Sequence, residues 1–103
     1  MKFVKITSHN EAFFELLKQD PKAMAAPLKA HVAWLKEHEA AGKLLGGYYM
    51  PGNGDCVTIW DFENEAEFDR SLLEDPMGFT FNVQIHAGVP LFEHIENALK
   101  TME

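Results

Sequence analysis

The sequence has one cysteine, no long apolar run and few cations, and each shortage removes a class of protein. Cys56 alone forms neither an internal disulfide nor a cysteine-pair metal site. Its neighbours Asp55, Val57, Thr58, Ile59 and Trp60 place it in a strand, where a small buried thiol is the expected state. No apolar stretch approaches the roughly 20 residues needed to span a bilayer. The opening Met1-Lys2-Phe3-Val4-Lys5-Ile6 interleaves lysine with apolar residues in place of the separate basic and apolar regions of a leader. A cytoplasmic protein with no membrane partner is expected.

Nine Lys and Arg against 16 Asp and Glu give a formal net charge of −7. Such a chain repels phosphate backbones and has no basic cluster to release counterions, so nucleic acid is excluded as a partner. Neither a nucleophilic serine or cysteine motif nor a phosphate-cradling glycine loop is present, and there are no internal repeats. What remains is 103 residues, 47% of them hydrophobic, enough for one core in a single domain over residues 1–103.

Phe3, Val4 and Ile6 alternate weakly over residues 2–7 and predict a strand that ends at Ser8-His9-Asn10. Phe13, Leu16 and Leu17 recur at helical spacing from Glu11 to Lys18, and Asp20-Pro21 interrupts them. Pro27 suits a helix first turn, so a main helix is expected from about 27 to 41, stopping at Gly42, with Leu28, Val32 and Leu35 as its buried stripe. Residues 43–50 and 55–62 read as a hairpin turning through Pro51-Gly52-Asn53-Gly54. Asn64 and Glu67 have the spacing of a capping box for a helix that runs up to Asp75-Pro76. Phe79, Phe81, Val83 and Ile85 then alternate with Thr80, Asn82, Gln84 and His86 as a strand, and Pro90 to Leu99 suits a terminal helix.

The order strand, helix, hairpin, helix, strand is that of an α+β, ferredoxin-like βαββαβ sandwich with extra short N-proximal and C-terminal helices. Two helices cover one sheet face only. A second copy is the simplest cover for the other, so the expected assembly is a homodimer, a dimeric α+β barrel.

Five histidines invite a metal, but none has ligand spacing. His31 and His38 would lie about 10.5 Å apart along a helix axis, too far to share an ion, and no metal or other cofactor is expected. Glu37-His38-Glu39 reads as a solvated face. His31 stands apart, three residues after Leu28 and four before Leu35, beside the apolar stripe. Asp75 stands apart too: with Glu74 it follows a helix C-terminus, where the potential is negative and acids are the wrong choice. Trp34, Tyr48, Trp60 and His86 are candidates to line a ligand pocket; Gly46-Gly47 suggests a bulge or a close backbone approach.

His31-Val32-Ala33-Trp34-Leu35-Lys36, then Gly42-Lys43-Leu44-Leu45-Gly46-Gly47, then Asp75-Pro76-Met77 resemble the pattern of YCII-related proteins over roughly residues 28–90. The tail His86-Ala87-Gly88-Val89-Pro90-Leu91-Phe92 departs from it, since YCII-like chains often close on a tryptophan-containing strand end. The segment from Ile59, with Asp61-Phe62 and Asp75-Pro76-Met77-Gly78-Phe79, is more distantly similar to muconolactone isomerases. The resemblance implies a ferredoxin-like dimer with a histidine and aspartate site, carried here by His31 and Asp75. A carboxylate beside His31 would fix the ring tautomer and leave the other nitrogen to take a proton beside a carbonyl or enol. The reading is a cofactor-free lyase or isomerase for a small oxygenated ring or enolisable substrate. A non-catalytic ligand-binding or oligomerisation module and a cofactor-free monooxygenase are the competing readings.

Overall fold

The computed structural model describes residues 1–103. Strand β1 (Lys2–His9) turns into helix α1 (Glu11–Gln19), whose first turn is capped by Asn10 Oδ1 accepting the Phe13 N–H at 3.3 Å. Asp20 ends α1 and accepts the Lys22 N–H at 3.0 Å, opening a 3-10 turn over Pro21–Met24 that leads into α2 (Ala25–Ala40). Gly42, at φ 75°, stops α2. The Gly42 and Lys43 N–H groups donate to the Glu39 and His38 carbonyls at 3.1 and 2.8 Å, closing the helix end with a left-handed residue that a Cβ would disfavour.

Strands β2 (Leu44–Met50) and β3 (Asp55–Asp61) form the hairpin, and α3 (Glu65–Leu72) follows, capped by Asn64 Oδ1 on the Glu67 N–H at 2.9 Å. The reciprocal half of the expected capping box is not made, because Glu67 Oε1 accepts from Lys43 Nζ at 3.4 Å instead. A 3-10 turn over Gly78–Thr80 precedes β4 (Phe81–Gly88), and α4 (Leu91–Met102) ends the chain. The last strand thus begins two residues later than the alternation suggests. Thr80 donates both its N–H and its hydroxyl to the Met77 carbonyl, which draws Phe79 and Thr80 into the turn.

All pairings are antiparallel and the strand order is β2-β3-β1-β4, the ferredoxin-like arrangement. Phe3 lies opposite Trp60 and Ala87, Lys5 opposite Thr58 and Ile85, so alternate residues Phe3, Lys5 and Thr7 share the face that receives α2 and α3. The core on that face is Phe3, Trp34, Trp60, Phe62 and Phe68. Ring centroids of Phe62 and Phe68 lie 4.9 Å apart, and those of Trp34 and Trp60 5.4 Å. Each such ring contributes roughly 1.5–3 kcal/mol of burial.

The expected stripe of α2 is not the one observed. Leu28 and Val32 are exposed, and Trp34 is the buried residue of the helix, with Leu35 packed at its edge. The largest ring takes the core position and rotates the two aliphatic residues outward. Both expectations for Gly46-Gly47 are met: the register shifts between Leu44 and Gly46, and a Cβ on Gly47 would meet Thr58 Cγ2 at 2.8 Å and the Val57 oxygen at 2.9 Å.

The other sheet face, carrying Val4, Ile6, Val57, Ile59, Gln84 and His86, receives neither α2 nor α3. No residue of α4 is buried, although Leu91, Phe92, Ile95, Leu99 and Met102 are apolar. The molecule extends 61 × 30 × 20 Å with a radius of gyration of 16.4 Å. A compact chain of this length would have about 13 Å. No helix is long and apolar enough to cross a membrane.

Candidate functional site

Three segments converge on one point of the helix-covered face: α2 through His31, the loop after α3 through Asp75, and the middle of β1 through Lys5. Asp75 follows α3 by three residues, with its N–H on the Leu72 carbonyl at 3.2 Å. Its Oδ1 accepts the Met77 N–H at 2.9 Å across Pro76, an aspartate-proline turn of the ordinary kind. The same oxygen lies 2.6 Å from His31 Nδ1. A carboxylate only accepts, so His31 carries its proton on Nδ1 and leaves Nε2, which has no partner within the chain, free to act.

The pair is well removed from water: the side chains of His31 and Asp75 are 14% and 2% exposed. Burial works to raise the Asp75 pKa, but the His31 hydrogen bond, the Met77 N–H and the charges of His31 and Lys5 outweigh it and hold the carboxyl below its ordinary range. Asp75 Oδ2 is buried without a hydrogen-bond partner. The His31 ring packs beside Phe81, 5.5 Å between centroids, and Trp34, 6.1 Å.

A cavity of about 520 Å³ opens beside the pair, lined by Lys5, Leu72, Asp75, Phe79, Phe81 and Val83 among others. That is within the range of small-molecule sites. His31 is not itself among the lining residues; it adjoins the cavity wall through its contacts with Asp75 and Phe81. Lys5 is the residue that the sequence reading passed over. The signal was its parity: Lys5 is two residues from Phe3 and two from Thr7, so a buried Phe3 turns the lysine inward.

The other candidates disperse. Trp34 is buried with Nε1 unpartnered and lies between His31, His38 and Trp60. Trp60 has no exposed surface and donates Nε1–H to Thr58 Oγ1 at 2.7 Å. Tyr48 is 82% exposed and lines a separate hollow of about 410 Å³ between α2 and β2. His86 pairs with Val4 on the opposite sheet face. One chain therefore does not bring these four pocket candidates together: the two tryptophans are core, and strand alternation puts Tyr48 and His86 elsewhere.

His38 is a correction of a different kind. It is half-buried rather than part of a solvated face: Nδ1 donates to the Trp34 carbonyl at 2.7 Å and Nε2 accepts from Ser71 Oγ at 2.8 Å, tying α2 to α3. His31 and His38 share no ligand, and no three His, Cys, Asp or Glu side chains gather as a metal set.

Comparison with solved structures finds 5-chloro-2-hydroxyhydroquinone dehydrochlorinase from Burkholderia phenoliruptrix AC1100, in complex with 2,5-dihydroxybenzoquinone, similar to this chain with a TM-score of 0.64. The match covers 90% of this chain and 98% of the other at 15% identity. The likeness is one of fold. No family model matches the chain, and no curated protein matches it.

Proposed function

We propose that this protein is a lyase or isomerase acting on a small enolisable or hydroxylated ring substrate, with His31 as general base and Asp75 as the group that orients it. The observation that carries the reading is the 2.6 Å bond from His31 Nδ1 to a buried carboxylate that also lines a cavity, with Nε2 left free. Asp75 fixes the tautomer and stabilises the imidazolium formed when Nε2 takes a proton beside a carbonyl. The electron pair left behind becomes an enolate, which collapses by reprotonation in an isomerisation or by loss of a leaving group in an elimination. The fold neighbour, a dehydrochlorinase holding a dihydroxyquinone, supports hydroxylated and chlorinated rings as the first compounds to try. We place the chain among YCII-related proteins by the same residues, with muconolactone isomerases as more distant kin, and read Trp34 and Trp60 as the wall behind the site.

We further propose a homodimer. A helix the length of α4 is marginal alone in water. It presents Leu91, Phe92, Ile95 and Leu99 to solvent, while the sheet leaves Val4, Ile6, Val57 and Ile59 without a helix. A second copy offers both halves of the missing cover and would bring the exposed Tyr48 and His86 to a shared surface.

The test is a screen of hydroxylated and chlorinated rings with wild type, His31→Ala and Asp75→Asn. Proton abstraction by a positioned base is worth about 10²–10⁴-fold, and both variants should lose turnover on that scale. Turnover unchanged in His31→Ala removes the proposal. An exposed apolar helix favours a second reading, a ligand-binding or oligomerisation module, in which rings bind and both variants bind them as well as wild type, with no turnover in any of the three.

A further inference from the structure

Lys5 is 4% exposed, yet it is absent from the five ion pairs of the chain and makes no side-chain hydrogen bond. Its ammonium lies 5.5 Å from the Trp34 ring and 5.6 Å from the Trp60 ring, partial recompense for lost water. Burial pushes its pKa below the ordinary lysine value, with Asp75 and Cys56 acting in the opposite sense. A methionine would fill the same space without the several kcal/mol that an ammonium loses on leaving water. A charge held in the interior at that cost, facing a cavity, is a local rule broken where function is expected.

The cavity is otherwise walled mainly by Leu72, Leu73, Phe79, Phe81 and Val83, so Lys5 and Asp75 are its two charged groups. Asp75 faces both Lys5 and His31, and the three charges cannot all be matched within the chain once His31 is protonated. We propose that Lys5 is the binding residue for an anionic ring oxygen, the enolate or phenolate of the ligand, in this cavity. The step deepens the general-base reading and rests on it, whereas the binding does not. Before proton transfer, Asp75 balances Lys5 and His31 is neutral. His31 Nε2 then takes the substrate proton, and the electron pair of the broken bond moves onto the carbonyl oxygen. The imidazolium now draws on the charge of Asp75, and Lys5, which no side chain holds, donates Nζ–H to the new oxyanion. Charge and protons balance with no co-reactant.

The experiment uses 4-nitrocatechol, whose absorbance reports whether its hydroxyl is ionised, titrated at a pH where the free probe is largely un-ionised. Wild type should bind it as the phenolate. A charge-assisted hydrogen bond is worth about tenfold to a hundredfold in affinity, so Lys5→Met should bind that much more weakly and leave the probe un-ionised. Lys5→Arg should keep the phenolate spectrum, and so should His31→Ala, which lacks the base but keeps the cation. Failure of wild type to bind or ionise the probe, or equal ionisation in Lys5→Met, overturns the inference. Phenolate binding that depends on Lys5 in a protein with no His31-dependent turnover upholds it and removes the general-base reading alone.

Discussion

Replacing Lys5 by methionine should make the protein more stable while it damages the site. The side chain is buried on the core face of β1 and finds no carboxylate within ion-pair distance. Bringing an ammonium out of water costs several kcal/mol. Against this stand two ring contacts, each worth about 2 kcal/mol when desolvated, and a longer-range attraction to Asp75. The net gain on substitution is about 1 kcal/mol, and each kcal/mol moves the midpoint of a domain this size by about 4–8 °C. The gain should also vary with pH. Since the folded pKa of Lys5 lies below the unfolded one of about 10.4, the unfolded chain binds more protons between the two values and wild-type stability rises there with pH. The advantage of Lys5→Met is therefore largest at neutral pH and fades above the unfolded pKa. Urea midpoints at fixed protein concentration across neutral and alkaline pH measure both effects. A variant less stable than wild type at neutral pH, or a difference that does not shrink on raising the pH, refutes the reasoning.

Asp75 has the opposite acid-base signature. Its folded pKa is depressed, so its contribution is fully present above the unfolded value of about 3.9 and is lost as pH falls through the folded one; Asp75→Asn should flatten the acid limb of stability, read as urea midpoints below neutrality. Gly47→Ala places a methyl 2.8 Å from Thr58 Cγ2 and 2.9 Å from the Val57 oxygen. Overpacking of that kind costs about 1–3 kcal/mol, and a thermal midpoint unchanged from wild type would contradict the observed close approach of β2 and β3. Phe92→Glu with Leu99→Glu should convert a dimer to a monomer in light scattering while leaving the near-ultraviolet signal of Trp34 and Trp60 in place; a mass unchanged from wild type would free α4 of any role in assembly.

Most of the architecture was legible because local rules and tertiary packing agree. Asn64 caps α3, Gly42 closes α2, and the Pro51 to Gly54 turn fixes the hairpin, each through hydrogen bonds or angles that its own residues dictate. The stripe of α2 was misread because alanines at several positions leave its apolar residues without one clear side, and only the competition for space against Trp60 and Phe62 selects Trp34. The His31 and Asp75 pair was nameable through the resemblance, not through spacing: the two are 44 residues apart, and nothing local says that the loop after α3 folds back on α2. Lys5 was hidden by the usual expectation that a strand lysine points to water, although its parity with Phe3 argued otherwise.

One atom carries two duties at this site. Asp75 Oδ1 receives both the Met77 N–H and His31, so the aim of the imidazole is set by main chain and not by a free rotamer. Pro76 stiffens the link between the two. The loop after α3 therefore works as a gauge for the ring: a change at position 76 that touches neither partner should tilt His31, and the His31 ring resonances should report the conformation of a turn in which they take no part.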